Sequence, residues 1–158
     1  MPRDATRLLE DDHETVRTLF DDLEETEDAE ERREILAELR QEIEIHAQIE
    51  EEIFYPAVRR AMGTRDGKVM VEEALQEHAT VDKTLGDLEG IDPASAAFEG
   101  KAQVLRELVE HHANEEEERM FEEARNSMDP DELEALGARL DERKTELKQD
   151  HSRRRVAH

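Results

Sequence analysis

Three features of the sequence predict an all-α fold, an up-down-up-down four-helix bundle with a short additional C-terminal helix. Apolar residues recur at helical spacing through four long segments, strand-forming and turn-forming residues are scarce, and four histidines stand 33, 32 and 34 residues apart. Six Gly, four Pro, one Tyr and no Trp leave little material for a sandwich, a barrel or a doubly wound sheet. The 158 residues suit one domain. Leu, Ile, Val and Phe number only 33, against 45 acidic and 22 basic residues and a formal charge of -23, so the chain stands near the composition of disordered proteins. Patterning rather than hydrophobic content must therefore specify the fold.

The first stripe, Leu9, His13, Val16, Phe20 and Leu23, predicts a helix over about residues 4–25. The second, Ile35, Leu39, Ile43, His46, Glu50, Ile53 and Ala57, predicts one over about 29–62. After a turn at GTRDG, residues 63–67, the third stripe runs Val71, Ala74, His78, Val81, Leu85, Leu88. Asp92-Pro93 reads as the start of the fourth helix, with an acceptor at the cap and a proline whose missing N–H costs nothing there. Its stripe is Phe98, Ala102, Leu105, Val109, His112, Glu116, Met120, Ala124. Asp129-Pro130, with Glu132 three residues after the Asp, opens a fifth and shorter helix that carries Leu133, Leu136, Leu140 and Leu147 against the bundle or another subunit. The domain plan is a bundle over 1–126, an accessory helix over 129–148 and a mobile basic tail over 149–158 with Arg153, Arg154 and Arg155. A long coiled coil is the competing architecture, but charged and imidazole side chains at core positions oppose it.

The absence of Cys excludes disulfides, thiolate metal sites and thiol catalysis, so any metal must be held by nitrogen and oxygen. No apolar run approaches the roughly 20 residues that span a bilayer and no apolar signal core opens the chain, which predicts a cytoplasmic protein without a membrane partner. The negative charge disfavours nucleic acid.

A histidine occupies the middle of every stripe. In an antiparallel bundle, residues about 33 apart across a short turn end two arms of roughly 22 Å at 1.5 Å per residue, which places His13, His46, His78 and His112 at one height. Glu50 and Glu116 follow His46 and His112 by four residues and share their faces. A single His-x-x-x-Glu pair would ordinarily be a solvated salt bridge, yet Glu50 lies in an apolar stripe where an unpaired carboxylate is costly. Burying four imidazoles and two carboxylates makes sense chiefly if cations compensate them. Six nitrogen and oxygen ligands exceed a zinc site and lack the all-oxygen character of calcium or magnesium sites. They suit iron or manganese, and two bridging Glu would let the pocket hold two ions about 3.5 Å apart. A ferritin-like centre needs Glu-x-x-His pairs, whereas Ile43, Leu75 and Val109 precede three of these histidines by three.

The segments LLEDDHETVRTLFDDLE, EIEIHAQIEEEIFYPAVR, EEALQEHATVDKTLGDLE and LVEHHANEEEERMFEEAR resemble, in order, the four helices of the hemerythrin-like domains with the HHE cation-binding pattern, over about residues 5–125. The resemblance implies metal ligation by His13, His46, Glu50, His78, His112 and Glu116, with two Fe ions bridged by the carboxylates and an oxo or hydroxo oxygen, Mn or Zn being alternatives. Hemerythrins proper carry two histidines one turn apart on the third helix. Here Ala74 and Asp82 flank His78, so Asp82, Glu77 or water is expected in place of the fifth histidine, and reversible dioxygen carriage gives way to reaction with dioxygen, hydrogen peroxide or nitric oxide, or to sensing. An external electron donor is the further partner expected of a turning-over enzyme, such as a peroxidase, a catalase-like enzyme or an oxygen-reducing oxidoreductase. An iron store or redox sensor and a metal-free acidic interaction protein are the competing functions, and the oligomeric state is open.

Several positions carry alternatives. His111 with Glu115 repeats the i,i+4 pair one residue earlier, and Glu117 could replace Glu116. Tyr55, the only tyrosine, is either a core-edge residue or a donor and electron relay beside the metals. The methionines read as packing, and His151 and His158 as tail residues outside the site.

Overall fold

The computed structural model describes the backbone of residues 3–157 and the side chains of residues 3–154. Helix α1 spans Ala5–Glu25, α2 Ala29–Ile49, α3 Tyr55–Met62, α4 Arg65–Glu89, α5 Ala96–Glu115, α6 Phe121–Ser127 and α7 Pro130–Ala157. A π-helical turn, Glu50–Phe54, joins α2 to α3, and a second, Glu116–Met120, joins α5 to α6. Four rods therefore form the bundle, as the periodicity predicts, and α7 packs along α1 and α2.

The caps explain where the rods begin. Asp4, Asp28, Thr64 and Ser95 each accept a hydrogen bond from a backbone N–H in the first turn of α1, α2, α4 and α5. Two starts differ from expectation. Asp92 and Pro93 belong to a turn, and Ser95 caps α5 because its hydroxyl reaches the Phe98 N–H. The turn after α3 is shorter than GTRDG, since Gly63 closes α3 with φ of 59° and Thr64 starts the next helix at once.

The core is divided in two. Leu8, Leu9, Ile49, Phe54, Val58, Val71, Phe121 and the α7 leucines form one cluster; Val16, Phe20, Leu39, Leu85, Phe98 and Leu105 form the other. The histidines lie between them on every rod. Met70, Met120 and Met128 are buried in the first cluster, in the packing role expected of them.

Helix α7 corrects the expectation of a short accessory helix. It has 28 residues and continues through residues 149–157, where no proline or glycine interrupts the helix. Leu133, Leu136, Leu140 and Leu147 are all buried. Gly137 is required where α7 meets the start of α1, because a Cβ there would clash with the Arg3 carbonyl oxygen and the backbone of Asp4 and Ala5. His158 and the Arg155 side chain lie outside the described residues. Among the described residues no helix is long and apolar enough to cross a membrane.

Candidate metal centre

All six expected ligands meet in the layer between the two apolar clusters. His13, His46, Glu50 and Glu116 form one set whose candidate ligand atoms lie within 4.8 Å of one another, and Glu50, His78 and His112 form a second. Glu50 belongs to both. Its Oε1 is 3.2 Å from His46 Nε2 and 3.1 Å from His78 Nε2, and it is completely buried. Glu116 Oε1 is 3.0 Å from His13 Nε2 and 3.5 Å from His112 Nε2, so the second carboxylate also spans the two sets. His111 points out of the bundle with its side chain 63% exposed, which settles the inward-facing pair as His112 and Glu116.

The π turns place the carboxylates. Each begins at the site glutamate and closes with an i→i+5 bond, from the Tyr55 N–H to the Glu50 carbonyl and from the Phe121 N–H to the Glu116 carbonyl. The extra residue shifts the helical register, so that Glu50 and Tyr55 face inward together, as do Glu116 and Phe121. Pro56 has no N–H for a regular helical bond, which favours the first π turn; the second forms without a proline.

Four carboxylates outside the expected set orient the imidazoles. His46 Nδ1 donates to Asp12 at 2.9 Å, His78 Nδ1 to Glu51 at 2.8 Å and His112 Nδ1 to Glu77 at 2.8 Å, while Glu117 stands 3.6 Å from His13 Nδ1. A carboxylate can only accept, so these contacts leave the Nε2 lone pairs for the interior, the arrangement that carboxylates impose on metal-ligating histidines. Glu77, one of the expected substitutes for the fifth histidine, is thus engaged at the outer edge of His112. Asp82, the other, is exposed and belongs to neither set. The oxygen that enters the His78 side is instead the Tyr55 hydroxyl, which donates to Glu116 Oε2 at 2.8 Å and lies 3.1 Å from His78 Nε2 and 3.3 Å from His112 Nε2. Of the two roles expected for Tyr55, the structure favours the one beside the site.

The carboxylates favour positive charge throughout the histidine layer. Burial pushes the His112 imidazolium down, but Glu116, Glu50 and Glu77 outweigh it and raise the group to about 10. His46, His13 and His78 are raised against burial by the same carboxylates and their outer partners. Burial raises the Glu50 carboxyl, yet His46 and the neighbouring donors hold it well below the usual range. The Tyr55 phenol is pushed well above its ordinary value by burial and by Glu116 and Glu50. Even so, His13 Nδ1, His46 Nε2 and Glu50 Oε2 are buried without a hydrogen-bond partner among the described residues. His13 Nδ1 faces outward toward Glu117, but orphaned His46 Nε2 and Glu50 Oε2 lie inside the ring of imidazoles and carboxylates and fit first-row metal ions, which would take the lone pairs and displace the protons.

The centre is internally repeated. His13, Val16 and Leu23 correspond to His78, Val81 and Leu88 at an offset of 65 residues, and His46, Glu50 and Tyr55 correspond to His112, Glu116 and Phe121 at 66. The outer carboxylates obey the same offsets, Asp12 with Glu77 and Glu51 with Glu117. This repeat is the signal by which the sequence could have revealed them.

Comparison with known proteins agrees with this geometry. The family model described as the hemerythrin HHE cation binding domain matches residues 4–124. The crystal structure of a hemerythrin HHE cation binding domain-containing protein from Mycobacterium kansasii superposes with a TM-score of 0.82 at 26% identity, covering 94% of this chain and 89% of that one. A protein named DNA nickase from Nostoc sp. is 26% identical over 138 residues, which make up 87% of this chain. The match spans only 38% of the nickase's length.

Proposed function

The chain belongs to the hemerythrin HHE cation-binding domain family, and we propose that it is a non-haem di-iron protein that binds or reduces dioxygen, hydrogen peroxide or nitric oxide. The observation that carries this reading is the doubling of the site: two histidine pairs share Glu50 and lie on either side of Glu116. His13 and His46 would hold one ion, His78 and His112 the other, and the two glutamates both. Tyr55 supplies an oxygen on the second side, where the hemerythrin pattern would have a further histidine. A bound iron pair would supply electrons to a small oxygen species and would need an external donor to be reduced again.

The protein's own groups would set the conditions for that chemistry. Asp12, Glu51 and Glu77 hold Nδ1 protons, which fixes the ring orientations before any ion enters. Phe54 and Phe121 meet edge to face with ring centroids 5.6 Å apart, and Phe121 lies parallel to His13 at 5.9 Å, so one side of the layer is walled against water. Tyr55 retains its proton and donates it in a hydrogen bond to Glu116. Nucleic acid is not among the partners of this reading, because the nickase named above is a much longer protein and a charge of -23 opposes phosphate binding. We place the protein in the cytoplasm.

The test is anaerobic reconstitution with ferrous iron, followed by elemental analysis and exposure to peroxide. Two irons per chain and peroxide consumption sustained by an added reductant are expected. A firm ratio of one iron would reduce the site to a single ion, and two irons without reaction would favour a store or sensor.

A further inference from the structure

We infer that the cavity on one side of the histidine layer is a binding site for a neutral, largely apolar organic molecule of drug-like size. The cavity measures about 690 Å³. Dioxygen or peroxide needs little more than the roughly 30 Å³ of a water molecule, whereas cavities of this size hold small organic ligands. The histidines form its floor, and its walls carry Val16, Phe20, Ile43, Val81, Leu85 and Val109. Four of these stand three residues from a site histidine, Val16 after His13, Val81 after His78, Ile43 before His46 and Val109 before His112. All four belong to or pack against the second apolar cluster, whose Phe20 and Leu85 also line the cavity, so the space lies between that cluster and the histidines. The opposite side of the layer is packed by Phe54, Tyr55 and Phe121, and the neighbouring void there, beside Met120, measures only about 20 Å³. The asymmetry is notable in a chain with so few large apolar residues.

The charges select the ligand. Glu44, Glu51, Glu52, Asp82 and Glu110 line the cavity against Arg17, Arg154 and the half-buried His151; Arg40 and Arg143 pair with Glu44 and Glu52, which leaves exposed Glu51 and Asp82 without a Lys or Arg partner among the described residues. This rim repels anions. The apolar walls between rim and floor penalise a charged group of either sign, which would lose its water against Val16, Phe20, Ile43, Val81, Leu85 and Val109. A neutral molecule meets neither barrier, and a lone-pair atom at its inner end would face the floor. That orientation rests on the di-iron reading; the apolar walls and the rim do not.

The test titrates metal-free and iron-loaded protein with N-phenyl-1-naphthylamine, a neutral fluorescent probe, and with 8-anilino-1-naphthalenesulfonate, which has the same ring skeleton plus a negative charge. One neutral probe per chain with enhanced, blue-shifted emission is expected, and the sulfonate should bind about tenfold more weakly. Val109→Trp should abolish binding of the neutral probe at unchanged helix content. Asp82→Lys, at an exposed position, should strengthen sulfonate binding and leave the neutral probe unaffected, so a result remains if the tryptophan variant fails to fold. No binding of the neutral probe, equal affinity for the two probes, or binding undiminished in folded Val109→Trp would overturn the inference. Iron content measured on the same samples separates the two readings: iron without probe binding contradicts only the cavity proposal, and probe binding without iron contradicts only the di-iron one.

Discussion

In the half of the centre formed by His13 and His46, each outer carboxylate has a cation behind it. Lys144 of α7 pairs with Asp12, and Arg17 reaches Glu117 at 3.0 Å. In the half formed by His78 and His112, Glu77 is shared with exposed His111, and Glu51 is 45% exposed with no ion pair beyond His78 among the described residues. The position that holds Arg17 in the first half holds Asp82 in the second. Inside, Phe121 lies flat against His13 where Tyr55 offers a hydroxyl to His78. One repeated scaffold thus gives a neutralised, apolar-backed half and an anionic half with an additional oxygen. The lesson is that equivalent ligand types do not make equivalent ions, because the charge behind the ligands differs. The anionic half should favour the more highly charged metal.

The largest expected effect comes from the residue common to both halves. Glu50→Ala should lose most of both ions, and in the metal-free protein it should cost about 3–5 kcal/mol by leaving His46 and His78 without their buried counter-charge. Elemental analysis and thermal melts check this, and retention of one full iron would show that the halves are independent.

Titration of the metal-free protein sharpens the comparison next. His112 is raised to about 10, so its contribution to stability is complete below the unfolded value near 6.5 and is lost as pH rises through 10. Glu117 is lowered to about 2 by His13 and, against some burial, by Arg17, so its contribution is present above the ordinary glutamate value and lost as pH falls through 2. Melting curves of metal-free protein should therefore lose stability between pH 7 and about 10, and iron-loaded protein should lose much less. A metal-free protein equally stable across that alkaline range would remove the proton-filled picture of the site.

Lys144→Met should follow, at about 2–3 kcal/mol, because it strips the cation from Asp12, which is buried at 3% exposure. The loss should appear as a lower melting temperature and weaker iron binding in the first half. Tyr55→Phe should have the smallest effect on folding, about 1–2 kcal/mol from the lost hydrogen bond, and should make the two halves alike inside. Iron content should persist while visible absorption from a tyrosine-iron bond disappears. An unchanged spectrum would return Tyr55 to a hydrogen-bonding role.

The four rods and the six inward groups were legible because a helix that repeats every 3.6 residues writes its buried face into the sequence, and His13, His46, His78 and His112 stand within those faces. Asp12 and Glu51 were not legible one by one, and Glu77 and Glu117 were legible only as alternative ligands, not as the partners of His112 Nδ1 and His13 Nδ1. Each adjoins a site residue in an acidic chain, and only the neighbouring rod reveals which carboxylates meet a ring nitrogen. Tyr55 escaped assignment because the π turn adds a residue that a constant helical period does not contain. The full length of α7 was hidden for a different reason. Its last turns have no apolar stripe, since His151 and Arg154 lie at the mouth of the cavity rather than over the core.

Mössbauer spectroscopy of the oxidised, iron-reconstituted protein tests the central claim most directly, because it counts iron environments and compares them in one measurement. Two quadrupole doublets of equal area, from two irons per chain, are expected of two ions held in unlike halves. A single doublet at one iron per chain would contradict the shared site, and a single doublet at two irons would contradict the inequivalence of its halves.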